Sequence, residues 1–387
     1  MTGLLRTQSE TLKQRLAELM TSQDVVGASV AVTDGTRLDQ ACWGETRYGS
    51  ASMVTPSTVF QIGSITKIYT ATVVLRLMEQ GLLGLDDPFR LHVPEFLPKD
   101  SELAGAVTVR HLLAHTSGLE GNFVPDTGRG DDCLTKLVEE CRGIGQIQPP
   151  GRTYDYCNSG YALLGRLIEK LTSSTWDAAI VEYILAPCGL SETMTLPEQV
   201  LLHDAAVGYF PGSPNSTTRW ARPEVWSVHR AAGPAGTICA TPSDVARFAT
   251  HHFQDVPQPL LQSSSIDSML RDPVAIPDAG PETACGLGWH MRLLADTPVI
   301  GHTGGNTGQG GQLWLDPING IAVCVLVNGL NSDTFLEAVL ERVFEHGQAM
   351  YAAGETVLRE GEAEHDQGLL RCPVGDRAPV PERRARC

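Results

Sequence analysis

Strand-like segments near both ends of the chain, separated by a long helical stretch, predict an α/β fold. The expected architecture is an antiparallel sheet built from both chain ends and flanked by helices, with an inserted mainly helical lobe. Three observations carry this expectation. Val25 to Thr33 and Leu38 to Gly44 read as strands joined at Asp34-Gly35, a tight-turn pair. Residues 85–234 hold helix patterns and Pro/Gly-rich connections with little alternation. Strand patterns then return at Gly286 to Leu293, Pro298 to His302, Gly311 to Leu315 and Ile321 to Asn328.

The helices follow in order. Ser9 to Met20 sets Leu12, Leu16 and Leu19 among Lys13, Arg15 and Glu18, an amphipathic surface helix. Ser64 to Gln80, closed by Gly81, is apolar on more than one side through Val73, Val74, Leu75, Leu77 and Met78, which suits a buried central helix. Val109 to Ala114, Leu134 to Cys141, Tyr161 to Leu171 and Trp176 to Leu185 furnish the lobe. Ser243 to His252 precedes the returning strands, and Thr334 to Glu345 packs back on the sheet. The sheet part is expected at about 8–84 and 235–347, the lobe at 85–234, and a mobile tail at 348–387.

Composition limits the partners. The 387 residues are 42% hydrophobic and 19% charged, an ordinary globular balance. A net charge of −16 argues against nucleic acid or an anionic membrane, since phosphates reward clustered Lys and Arg. No apolar run is long enough to span a bilayer, and the N-terminus lacks the apolar core of an export signal, so a cytoplasmic location is expected. The ten cysteines are scattered without a Cys-x-x-Cys pair and read as reduced core residues.

Ser64-Ile65-Thr66-Lys67 carries the chemistry. On a helix that starts at Ser64, positions i and i+3 share a face, so the Lys67 amine can reach the Ser64 hydroxyl. A desolvated lysine loses its proton more easily and can then take one from serine. The helix start also aims backbone N–H groups at an incoming carbonyl oxygen. The pattern is short, and Lys67 is the only one of five lysines with Ser three residues before it. Taken alone, it fits equally a helix cap followed by an exposed lysine.

Other segments give it context. Tyr154-Asp155-Tyr156-Cys157-Asn158 follows Pro149-Pro150-Gly151, and Gly301-His302-Thr303-Gly304-Gly305 lies on a late strand. With Ser64/Lys67, Tyr156/Asn158 and His302-Thr303-Gly304 in that order, the chain resembles the serine β-lactamase and penicillin-recognising family. The resemblance is closer to its class C β-lactamase, DD-peptidase, esterase and transacylase branch. Leu112-Leu113-Ala114-His115-Thr116-Ser117-Gly118-Leu119 and Ala231-Ala232-Gly233-Pro234-Ala235-Gly236 also look like this branch, and the likeness spans roughly residues 8–347. The departure from the lactamase pattern is His302 where lactamases carry Lys; an imidazole attracts a carboxylate less than a fixed ammonium.

The resemblance implies a β-lactamase/transpeptidase-like fold and an acyl-enzyme at Ser64, with Lys67 and Tyr156 sharing the proton transfers. It implies that Asn158 orients the Lys67 amine and a substrate amide, and that the Ser64 and Gly305 N–H groups form the oxyanion site. His302 and Thr303 would face the substrate from the opposite wall. No metal or organic cofactor is implied. His111 and His115 have i, i+4 spacing, but Leu112 stands where a zinc-protease helix has Glu, so both read as structural. Cys157 should alternate away from the site, and His251-His252 should cap a helix end.

The expected function is therefore a serine acyl-transfer enzyme, hydrolase or transacylase, acting on a small-molecule or peptide ester or amide. An amine or alcohol is a possible acceptor. A thioesterase or peptide cyclase of secondary metabolism, of the penicillin-binding-protein type, is one alternative. A DD-peptidase or β-lactamase is another. A sensor that acylates without turnover is the alternative from a different class.

Overall fold

β1 (Gly27–Thr33) and β2 (Leu38–Gly44) form the predicted hairpin, with Gly35 at φ +85° and the Asp34 carboxylate accepting from the Thr36 and Arg37 N–H groups. These belong to a computed structural model that describes residues 18–19, 25–211, 219–221, 228–253, 256, 258–279, 283–294, 296–306, 308–329 and 333–352. Of the expected N-terminal helix, only Glu18 and Leu19 are described, and both are helical. The expected tail beyond residue 352 lies outside the described residues.

The remaining strands of the main sheet come from the C-terminal part. They are β3 (Val274–Ala275), β4 (Ala284–Cys285), β5 (His290–Leu294), β6 (Thr297–Asn306), β7 (Gln309–Asp316) and β8 (Ile321–Val327). The order is β2-β1-β8-β7-β6-β5-β4-β3, every neighbouring pair antiparallel. β1 lies against β8 with Ala28 opposite Val327, so strands from the two ends of the chain pair directly in one sheet, as expected. Both strands are buried along their whole length, which explains their continuous apolar sequences.

Of the strand expected over Gly286 to Leu293, residues 286–289 form a turn and the strand begins at His290. Gly286 donates to the Trp289 carbonyl and Gly288 sits at φ +86°, folding β4 back onto β5. The strand expected to end at His302 runs on to Asn306. The glycines at 304 and 305 are tolerated because their partners across the ladder, Gly311 and Gly310, are also glycines.

α1 (Thr66–Glu79) follows a 3-10 turn over Gly63–Ile65. Every residue from Thr66 to Leu75 is buried, the all-round burial its sequence predicted. The lobe supplies α2 (Val109–Leu113) and α3 (Asn158–Thr172), and α4 (Pro242–Thr250) covers one face of β1 and β8. α5 (Asp333–Ala352) covers the other face with Phe335, Leu336, Val339, Leu340, Val343 and Phe344, and continues past the expected end at Glu345. Seven of the eight described cysteines are buried.

The expectation for His251-His252 divides. His251 is the C-cap residue of α4, its Nδ1 3.0 Å from the Gln258 carbonyl. His252 is a core residue, with Nε2 3.2 Å from Thr72 Oγ1 and the ring edge-on to Phe248 and Trp289. The helix ends one turn too early for both imidazoles to reach solvent, so the second turns inward against α1.

α3 crosses the Gly233–Gly236 turn at Gly165, where an added Cβ would overlap the Pro234 ring and lie 3.0 Å from Leu134 Cδ1. Helix propensity alone favours Gly165→Ala by about 1 kcal/mol. Overpacking at a rigid proline ring costs about 1–3 kcal/mol. Urea unfolding should therefore show the variant to be less stable than wild type. A more stable variant would mean that α3 does not meet the turn this closely.

Candidate active site

Ser64 stands in the middle of the 3-10 turn and Lys67 in the first turn of α1, so one short segment carries both. Lys67 Nζ lies 3.1 Å from Ser64 Oγ and donates to the Ala235 carbonyl at 2.6 Å. The side chain is 0% exposed, which removes the reading of Lys67 as a surface residue. Burial pulls its pKa down from 10.5 to about 7. The turn that supplies the carbonyl is held to α1 by Thr70 Oγ1, which donates to the Pro234 carbonyl at 2.8 Å.

Tyr156 comes from the lobe. It precedes α3, which starts at Asn158 rather than at Tyr161, because the Cys157 thiol caps it by accepting from the Gly160 N–H. The Tyr156 O–H donates to Ser64 Oγ at 2.7 Å, and Lys67 Nζ sits 4.8 Å from the centre of its ring. Burial pushes the phenol well above its ordinary value of 10. Cys157 points away from the nucleophile into the lobe, as its alternation predicted.

The third wall is β6. A Cβ on Gly304 would overlap the Ile62 carbonyl, and one on Gly63 would overlap the Gly305 amide nitrogen. Only glycines let this strand come so near the Ser64 turn, with Gly63 itself at φ +53°. Asn306 locks the approach, its Nδ2 donating to Gln61 Oε1 at 2.7 Å and to the Gly236 carbonyl at 2.9 Å. The backbones of Ser64 and Gly305 are thereby placed side by side.

His302 and Thr303 occupy this wall differently from the expectation. Thr303 is exposed, but His302 is only 2% exposed, its Nδ1–H donating to the Thr303 carbonyl. Its ring stacks on His290 with centroids 4.2 Å apart and lies 6.3 Å from the Tyr156 ring. Burial, then His290 and Lys67, push its pKa well below 6.5, and His290 falls to about 4 by burial and Lys67. Both imidazoles are therefore neutral at neutral pH, and His290 Nε2 lies 3.3 Å from the Tyr154 hydroxyl.

Asn158 departs from its expected contact. Its Nδ2 donates to Asn122 Oδ1 at 2.8 Å, whereas the Lys67 amine pairs with Ser64 and the Ala235 carbonyl. As the first residue of α3, Asn158 is turned toward the 119–125 loop rather than toward α1. Among the described residues, no group of three or more His, Cys, Asp or Glu could hold a metal ion.

The structure thus brings Ser64, Lys67, Tyr156, His302 and Gly305 together and leaves Asn158 beside them. His115, His290, Tyr154 and the Ala235 carbonyl join the site without having been singled out for it. His115 appeared in the sequence as part of the Leu112–Leu119 run and as a spacing to His111, without a role at the site; His111 in fact caps α2 by accepting the Thr108 N–H at 3.1 Å. His290 follows a Gly-Leu-Gly-Trp turn and had no sequence signal.

Comparison with known proteins agrees with this geometry. The Beta-lactamase family model matches residues 12–348. Penicillin-binding protein 4 of Amycolatopsis lactamdurans is 37% identical over 324 residues, covering 82% of this chain and 84% of its own length. Among solved structures, SurE superposes with a TM-score of 0.73 at 26% identity, covering 88% of this chain and 76% of that one. A D-stereospecific amidohydrolase from Streptomyces sp. superposes with a TM-score of 0.69 at 25% identity, covering 86% and 98%. The family match over most of the chain, with a relative 37% identical along 84% of its own length, establishes that the protein belongs to the beta-lactamase family.

Proposed function

We propose that the protein is a serine acyl-transfer enzyme that forms an acyl-enzyme at Ser64 from a small-molecule or peptide ester or amide. The observation that carries this reading is the position of Ser64 Oγ, 3.1 Å from the Lys67 amine and 2.7 Å from the Tyr156 hydroxyl. The two neighbours are tuned in opposite directions. Lys67, near 7, is substantially neutral at physiological pH and able to accept the serine proton; Tyr156, pushed upward, keeps its own.

The roles follow from that difference. Ser64 Oγ attacks the carbonyl carbon as its proton passes to Lys67 Nζ. The carbonyl oxygen becomes an oxyanion facing the backbone N–H groups of Ser64 and Gly305. As the tetrahedral adduct collapses, the Tyr156 O–H protonates the departing amine or alkoxide and Lys67 returns the proton to the phenolate. A water or amine acceptor then reverses the path. Thr303 and the Asn122–Asn158 amide pair lie at the rim, where they can bind the acyl group.

The neutral His302 weighs against β-lactamase activity, since an imidazole attracts a carboxylate less than a fixed ammonium. The amidohydrolase neighbour supports a D-configured aminoacyl donor as the first probe. Among the described residues, no helix is long and apolar enough to cross a membrane.

Intact-mass spectrometry tests the reading. Wild type incubated with acetyl-D-phenylalanyl p-nitrophenyl ester should gain one acyl mass, and Ser64→Ala should gain none. Equal labelling of both would remove Ser64 as nucleophile. Faster clearance of the adduct on adding an amine, with the amide as product, marks a transacylase; clearance into water alone marks a hydrolase.

The pH dependence has a definite sign. A lysine with a depressed pKa is charged, and useless as a base, below about 7, so the acylation rate should fall as pH drops through that value. Lys67→Ala should lose that limb and about 10²–10⁴ in rate. An acylation rate that is flat between pH 5 and 9 would contradict the assignment.

A further inference from the structure

Tyr156 sits at a junction without helix or sheet support, in the segment Tyr154 to Cys157 that leads into α3. A phenol that must give up its proton at a fixed point has to be held by something else. His115 contacts this segment three times. The His115 carbonyl accepts the Asp155 N–H at 2.7 Å, on one side of Tyr156. His115 Nδ1 accepts the Cys157 N–H at 2.9 Å, on the other side. Between these two bonds the imidazole lies flat against the Tyr156 ring, with centroids 4.5 Å apart and planes 29° apart.

We propose that His115 is the positioning residue of Tyr156, a clamp that grips both flanking peptide groups and the ring face so that the phenol points at Ser64 Oγ. This rests on the reading of Tyr156 as the acid that protonates the leaving group. The backbone at His115 is itself unusual, with φ at +56° in the left-handed region that few side chains other than Asn, Asp and His enter readily. That conformation turns both the carbonyl and the ring of one residue toward the same loop. His115 is 1% exposed, and Tyr161 and Tyr154 pack on the same ring at 5.1 and 5.6 Å.

The tautomer is set by the contact. A ring nitrogen that accepts the Cys157 N–H carries a lone pair, so the proton resides on Nε2 and the ring is neutral. A charged imidazole would present an N–H to an N–H and open the clamp. Burial, with Lys67 and His290 nearby, holds the His115 pKa well below 6.5, so the clamp stays closed at physiological pH. His115 gives no proton to the substrate in this scheme. It acts through Tyr156.

The test compares leaving groups. Acetyl-D-phenylalanyl p-nitrophenyl ester expels a phenolate that needs no proton, whereas the matching p-nitroanilide must be protonated to leave. Acylation rates of wild type, Tyr156→Phe, His115→Phe, His115→Ala and His115→Asn are measured with both donors, and melting temperatures are recorded. His115→Phe keeps a ring and loses the acceptor; His115→Asn keeps an acceptor and tolerates the positive φ.

The anilide-to-ester rate ratio should fall about 10- to 100-fold in His115→Phe and His115→Ala, the cost of a displaced catalytic group, with the ester rate nearly kept. His115→Asn should recover part of the ratio. A parallel loss on both donors, or an unchanged ratio, would overturn the clamp while Tyr156→Phe still lowers the ratio. If Tyr156→Phe itself leaves the ratio unchanged, the acid role of Tyr156 fails and the clamp falls with it. If His115→Ala does not fold, the His115→Phe ratio decides alone: equality with wild type overturns the proposal.

Discussion

The burial of one lysine amine governs this molecule. Lys67 has no exposed surface, and an amine taken out of water gives up its proton more easily, here near pH 7. Covering it takes three separate parts of the chain. The Gly233–Gly236 turn gives it a carbonyl, the lobe lays Tyr156 and Tyr161 over it, and the sheet brings β6 against its turn. A central helix buried on all sides is the structural counterpart of a buried base. The apolar residues that surround α1 and the chemistry at its first turn answer to the same requirement.

The electrostatics around that amine are uniform. Three imidazoles, His115, His290 and His302, approach it from the lobe and from two strands, and all have pKa values lowered first by burial and then by neighbouring charge, Lys67 included. A proton placed on any of them would sit beside a lysine already short of solvation. Keeping the imidazoles neutral spares Lys67 a competing cation and leaves each ring free to serve as a packing surface or hydrogen-bond partner. Their rings meet Tyr154 and Tyr156 in one continuous aromatic cluster. Small displacements in that cluster reach Ser64 through the Tyr156 hydroxyl.

Legibility in the sequence followed the range of each interaction. Ser64 and Lys67 could be read together because three residues of helix fix their distance. The β1–β2 hairpin was visible from Asp34-Gly35, and the sheet's assembly from both chain ends followed from where the strand patterns lay. Tyr156 was found through its resemblance to a family, since no local spacing ties it to a residue 92 positions away. Asn158 was placed with the right neighbours but given the wrong partner, because the 119–125 loop that claims its amide has no periodic signature. His302 was expected at an open wall, yet the pairing of β5 with β6 sets His290 opposite Gly301 and against the His302 ring. His115 stayed hidden because its role depends on a left-handed backbone and a loop forty residues on, neither of which composition or periodicity records.

The central claim is that Lys67 is a largely neutral base in the resting protein, and its own titration tests this most directly. The chain contains only five lysines, so selective ¹³C labelling of lysine side chains gives a spectrum that can be assigned with a single variant, Lys67→Ala. The account predicts one side-chain signal with a midpoint near pH 7, absent from the variant. Titration of all the lysine signals above pH 9 would contradict it, leaving Ser64 without the base on which this account rests.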